Sequence, residues 1–350
     1  MSHGLIGRDR MAHVGSQNAI WHAAMTGNRL TEIAENCTGP ELAKAAGLDF
    51  EMEKVPLAFN GESVPDVFGI KAKDALQPLP GVSVGANYTV LQPSRLIELG
   101  EDIRQNEPSA RWETAATLFD RRKAWALLRI GGAIEIERTR AGGVKETDTT
   151  LPYLLLSTTF DASQRTVVQH TGVRVVCQNT LSAAIGDREN AFWIKHTRSQ
   201  ESRMKEAAEA LGHAVKYFGT YAETMQRLAD TPMSVNQARG FFAMLLTETE
   251  APDEAIAAIR KAKDQNPRTF ANIEETGALL MGLFQNGKGN AGRDAMDALD
   301  ATTEFIDHHK QRIRAYKGAT ARMRLDAQFD STQFGTGAKV KARALRLLTR

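Results

Sequence analysis

The 350-residue sequence predicts an α+β protein: an antiparallel sheet core ordered helix, hairpin, strands, helix, followed by a helical C-terminal half. Three observations predict it. Between positions 112 and 176 the pattern is that of strands: a hairpin, a period-2 stretch and short apolar runs separated by polar turns. From Phe192 onward the apolar spacing becomes helical. A chain 42% hydrophobic and 25% charged has the composition of an ordinary globular protein and enough apolar residues to bury a core.

Residues 1–80 read as an N-terminal arm or subdomain. Short helical patterns at 23–36 and 40–46 give way to Pro56, Pro65, Pro78 and Pro80, which punctuate extended or turning chain. Residues 81–198 form the predicted core. A strand over 87–91 leads to a helix that starts at Pro93 and carries Leu96, Leu99 and Ile103 on one face. "WETAATLF", "DRRK" and "AWALLRIGG" spell a hairpin with a charged connection. "AIEIER" alternates, "TRAGGVKETDTT" is a polar loop, and "LPYLLLS" is an almost unbroken apolar run. "TVVQHTGVRVV" closes the set, and Asn179 or Thr180 is expected to cap a following helix. Residues 199–309 are helical, with starts at Ser234 and Pro252 and a Gly/Asn-rich loop at 285–294. Residues 310–350 are a separate basic segment.

Several kinds of chemistry are disfavoured. Cys37 and Cys177 lie 140 positions apart with no C-x-x-C, so neither disulfide framework nor zinc site is expected. His170, the histidine nearest Cys177, is seven strand residues away, about 23 Å, too far for a thiolate pair. The eight histidines show no H-x-x-x-H spacing. "FQNGKGNAGRDAM" lacks the lysine-hydroxyl ending of a phosphate loop. Catalytic residues, cofactors and metals are therefore expected to be absent. No long apolar segment occurs, and a reducing, cytoplasmic setting without membrane contact is expected.

Charge is distributed unevenly. Positions 310–350 hold 11 Lys/Arg against Asp326 and Asp330, whereas the remainder of the chain is net acidic. On a helix Lys339, Arg343, Arg346 and Arg350 fall at about 0°, 40°, 340° and 20°, one cationic stripe opposite apolar residues. Tyr316, Phe329 and Phe334 interleave with these cations. Arg121, Arg122 and Lys123 form a second cluster at the hairpin tip, flanked by Trp112 and Trp125, and Arg174 adds a strand cation. Cations with nearby aromatics suit the backbone and bases of a single strand. The expected partner is single-stranded DNA, held by Arg121, Arg122, Lys123, Arg174, Lys339, Arg343 and Arg346, with the chain assembled as a homo-oligomer.

The motifs R-V-x-C-x-N-T-L (174–181), T-E-x-x-D-H (303–308) and F-G-x-G-x-x-x-K (334–341) resemble those of phage/plasmid-like proteins grouped as a domain of unknown function. The likeness runs from about Trp21 to the last helix. Members carry W-H-x-x-G, whereas here Trp21-His22 is followed by Ala23-Ala24-Met25. The resemblance implies residence in a mobile genetic element and supplies no catalytic residue. The core is also similar in outline to phage single-strand-annealing recombinases, which implies an annealing, recombination or replication accessory. Two alternatives stand beside it. One is a nucleic-acid enzyme or anti-defence component with Cys177, Asn179, His22 and Asp307 or His308 converging in a pocket. The other is a protein-interaction module whose basic tail docks on an acidic partner or on its own acidic body.

Overall fold

The computed structural model describes residues 7–15, 30–139, 144–174, 180–181, 191–211, 214–310, 331–332 and 335–350. In chain order the first elements are β1 (Met11–Val14), β2 (Leu30–Ile33), α1 (Gly39–Ala45), β3 (Met52–Phe59), β4 (Glu62–Ala72) and β5 (Val84–Gly85). The central block follows: α2 (Pro93–Asn106), β6 (Arg111–Leu118), β7 (Lys123–Arg129), β8 (Ile134–Thr139), β9 (Lys145–Thr159), β10 (Thr166–Arg174), β11 (Thr180–Leu181) and β12 (Ala191–Ile194). Helices complete the described chain: α3 (Gln200–Leu211), α4 (Ala214–Ala229), α5 (Val235–Thr247), α6 (Pro252–Gln265), α7 (Pro267–Asn286), α8 (Ala295–Glu304), a π-helical turn (Phe305–His309) and α9 (Thr336–Leu348).

A nine-stranded sheet runs β11-β10-β9-β7-β6-β1-β2, with β12 paired to β10 and β8 to β9; a smaller sheet is β3-β4-β5. Strand β9 is the spine, antiparallel to β8, β7 and β10. Its apolar run is continuous because both faces are covered. Leu154 and Leu156 join the main core, while Tyr153 and Leu155 meet Trp125 and Leu127 on the opposite face. Helix starts follow local chemistry. Pro93 and Pro252 sit in the first turns of α2 and α6, and Ser234 forms a capping box with Gln237 at α5.

The structure departs from expectation at four places. Residues 87–91 form no strand; the Thr89 amide donates to the His196 carbonyl at 3.0 Å. Residues 145–150 of the expected polar loop extend β9, because β8 offers them a partner. Thr180 is not a helix cap: Thr180 and Leu181 pair antiparallel with Val173 and Gly172. Residues 191–194, at the start of the expected helical half, pair with β10. The N-terminal segment is also part of the main sheet, since β1 lies antiparallel to β6 and parallel to β2. One continuous core includes residues from Ala12 to Leu345, so the four segments expected along the chain share it.

Helix α2 lies very close to the sheet. A Cβ on Gly100 would come within 2.0 Å of the Trp112 ring, whose Nε1 donates to Glu101 at 2.7 Å. Gly100→Ala is therefore expected to destabilise by about 1–3 kcal/mol through overpacking, despite alanine's better helix propensity. Urea unfolding measures this; a variant as stable as wild type would show that α2 shifts freely.

Charge, rather than apolar contact alone, joins sheet to helices. Arg138 follows Ile134 and Ile136 on the inward face of β8 and is fully buried. It donates to Asp148 at 3.3 Å, Asp294 at 2.8 Å, Asp300 at 3.2 Å and also Asp297. Among the described residues no helix is long and apolar enough to cross a membrane.

Candidate nucleic-acid interface

The three hairpin-tip cations are each held by the chain itself. Between β6 and β7 the backbone passes through left-handed φ values of 61°, 57° and 66° at Phe119, Asp120 and Arg121. Non-glycine residues keep such angles only where their surroundings over-determine them. Buried Asp9 does so here, accepting the amides of Asp120 at 3.1 Å and Arg121 at 2.9 Å. The Arg121 guanidinium lies over Phe50 at 4.6 Å and donates to Asp74 at 2.6 Å, which holds the Asp74 carboxyl below its usual range. Arg122 donates to the Pro80 carbonyl at 2.8 Å and faces Asp161 at 3.8 Å. Lys123 is 1% exposed and donates to Gln164, so in this structure no phosphate in solvent reaches it. Trp112 and Trp125, expected as flanking aromatics, are buried in the two sheet faces and present no ring to a base.

Arg121 instead forms part of a wall of a cleft of about 590 Å³, shared with Arg8, Arg10 and Lys44 and with the carboxylates of Glu41 and Asp49. Arg8 is fixed by its amide, which donates to Asp120 at 2.8 Å. Burial pushes the Asp120 carboxyl up, but these hydrogen bonds and the Arg8 charge outweigh it and hold it low. The stem of Arg10 crosses Gly47, where φ is +63° and an added Cβ would come within 2.9 Å of Arg10 Cγ. Arg10 donates to the Asp9 carbonyl at 3.0 Å. Neither Arg10 nor Lys44 is in an ion pair among the described residues. Sequence reasoning missed Arg8, Arg10 and Lys44, since nothing local marks three scattered cations as neighbours.

The C-terminal stripe is a real helix face. Gly337, Lys341, Ala344 and Leu345 of α9 are buried, leaving Lys339 and Arg346 exposed and Arg343 half-buried. Three arginines of the stripe converge on Glu250, which lies between α5 and α6: Arg343 at 2.9 Å, Arg346 at 3.2 Å, and Arg350. Arg343 also donates to the Thr249 carbonyl at 2.5 Å. Of Arg174 only the backbone is described, at the end of β10. His22, Cys177, Asn179, Tyr316, Phe329 and Phe334 lie outside the described residues.

Two motifs meet in the helical half. Asp307 of T-E-x-x-D-H accepts from Lys341 of F-G-x-G-x-x-x-K at 2.5 Å, both buried. Gly337 of the second motif packs so tightly that an added Cβ would lie 2.8 Å from Ile306. Glu304 accepts the Lys288 amide at 3.0 Å, and Asp297 accepts the Arg293 amide at 2.9 Å. The glycine-rich loop thus turns amides that a phosphate would need toward carboxylates of its own chain. Asp294, Asp297, Asp300, Glu304 and Asp307 line one side of α8 and the π turn, yet among the described residues no group of three or more His, Cys, Asp or Glu has an arrangement able to hold a metal.

These features describe an α+β protein with an antiparallel sheet core, a buried ionic joint and a cationic outer helix. The chain belongs to the family described as Domain of unknown function (DUF932), whose family model matches residues 82–330. Arg121 and the Arg138 network fall inside that span, whereas Arg8, Arg10, Lys44 and α9 fall outside it. No match is found among curated proteins or among solved structures.

Proposed function

We propose that the protein binds single-stranded nucleic acid, DNA in the first instance, through the outward face of α9. In this reading it is a non-enzymatic accessory to annealing, recombination or replication in a phage- or plasmid-borne element, working in the cytoplasm as a homo-oligomer. One observation carries the reading: Lys339, Arg343 and Arg346 share a face of α9, Arg350 follows just past its end, and a single carboxylate, Glu250, makes ion pairs with the three arginines among the described residues. Strand-pairing chemistry asks for cations on the phosphate backbone with base edges left free, and such a face suffices for that. The cleft with Arg10 and Lys44 offers a second contact.

Deleting α9 would also delete the buried Lys341, so substitutions on its outer face make the cleaner test. In anisotropy titrations of a labelled oligonucleotide across a salt series, Arg346→Glu with Arg350→Glu is expected to weaken binding by about tenfold or more and to flatten the salt dependence. Failure to bind at low salt, by the wild type and by a variant lacking the Glu250 carboxylate alike, would sink the proposal. A second reading, a tail that docks only on its own body, is supported by the same Glu250 contact. It predicts that the double arginine substitution lowers the melting temperature while no form of the protein binds oligonucleotide.

A further inference from the structure

The contact between α9 and Glu250 joins three like charges around one carboxylate. Arg343 and Arg346 bond one carboxylate oxygen at 2.9 and 3.2 Å, and Arg350 takes the other. Arg343 and Arg346 lie about one turn apart on α9 and Arg350 two residues past its last residue, so three like charges are brought together and an anion between them relieves their repulsion. Glu250 does not exhaust them: Arg343 Nε–H has no acceptor. Nor is Glu250 rigidly fixed by secondary structure. It follows Glu248, at φ +58°, and precedes Ala251, the extended N-cap of α6, and its side chain is 42% exposed. Arg346 and Arg350 are more than half exposed, so solvent screens their share of the contact.

We infer that Arg343, Arg346 and Arg350 form a ready-built phosphate seat that Glu250 fills from within, so that a nucleic-acid phosphodiester binds there by displacing Glu250. The inference rests on the nucleic-acid proposal and adds the control of its site. Partial desolvation pushes the Glu250 carboxyl up, but Arg343, Arg350 and Arg346 outweigh it and keep it low. The internal anion therefore remains charged at neutral pH and competes throughout. A single strand defeats it by valency, because successive phosphates engage Lys339 and the three arginines together while Glu250 offers one charge. The exchange also explains how a cationic face stays docked on its own body until a polyanion arrives.

The test is Glu250→Gln, titrated with the labelled oligonucleotide across a salt series beside wild type and the Arg346→Glu/Arg350→Glu pair, with melting temperature recorded for each. Removing the competitor is expected to tighten binding by about three- to tenfold. The salt dependence should steepen, because no displaced carboxylate is left to take up a cation when the strand binds. Binding by Glu250→Gln alone, with wild type silent, supports the inference as well. If Glu250→Gln matches wild type in affinity and slope while the arginine pair weakens binding, the seat is not gated and the nucleic-acid proposal survives. If neither wild type nor Glu250→Gln binds at low salt, both fail.

Discussion

Arg138→Met is expected to lose about 3–5 kcal/mol of folding stability, because it strands buried carboxylates without their shared cation. Asp297 is fully buried, and Asp148, Asp294 and Asp300 nearly so; Asp148 stands on the strand beside Arg138, and the other three come from α8 and its N-cap across the sheet–helix joint. Methionine fills much the same volume, so the loss would report charge rather than a cavity. Burial already holds the Asp294 carboxyl above its ordinary 3.8, with Arg138 opposing the rise. A carboxyl with a raised folded pKa stabilises most below its unfolded value, and that contribution falls as pH rises through the folded one. Without Arg138 the Asp294 carboxyl loses the charge that opposes its rise, so the deficit of the variant should shrink as pH falls from about 7 toward 5. Urea unfolding at both pH values decides it. A deficit equal at the two pH values would mean that the carboxylates are not what the arginine serves.

Apolar patterning makes the sheet legible. β8 follows its period-2 alternation, β6 and β7 their hairpin and β10 its β-branched run, while α2 and α6 begin at Pro93 and Pro252 and α5 just after its cap Ser234. What does not show is pairing that local sequence does not encode. β1 and β2 are four residues each, and their place in the sheet depends on partners around position 115 and on each other. Threonine caps helices, which points to Thr180 as a cap, but pairing with Val173 wins over local propensity. The polar stretch before Leu151 is strand for the same reason, with β8 beside it.

The site is legible in part. Of the expected stripe, Lys339, Arg343 and Arg346 emerge on one face because helical geometry alone decides it, whereas Arg350 lies just past the helix end and still reaches Glu250. The hairpin-tip cations do lie at a turn, but their partners, Asp74, Asp161, Pro80 and Gln164, come from other segments that pattern reading cannot bring near. Two further signals are present in the sequence. Arg138 stands in phase with Ile134 and Ile136, a cation at a core position. Lys341 lies at about 200° on the wheel that puts Lys339 at zero, inside the apolar arc. A charge in a hydrophobic phase calls for a buried counter-charge, which α8 supplies to Arg138 and the π turn to Lys341.

Lys341→Met is the second large effect expected, about 3–5 kcal/mol, since it leaves Asp307 buried without its lysine. Burial pushes the Lys341 amine down from its ordinary range, with Asp307 working against that shift. For a lysine with a lowered folded pKa, the folded state binds fewer protons than the unfolded one between the two values, so stability from this group increases as pH rises through that window. Replacing both partners, Lys341→Met with Asp307→Leu, should cost less than Lys341→Met alone, because no orphaned carboxylate remains. A double variant at least as unstable as the two single losses combined would show that the pair is not coupled. The pair also bears on binding. It fixes α9 against the π turn, and only a fixed helix points Arg343, Arg346 and Arg350 away from the core and toward Glu250. Lys341→Met should therefore weaken oligonucleotide binding even at temperatures where the protein remains folded, and the double variant should recover binding together with stability. Recovery of stability without recovery of binding would show that the apolar pair holds the helix in place without restoring the orientation of its outer arginines.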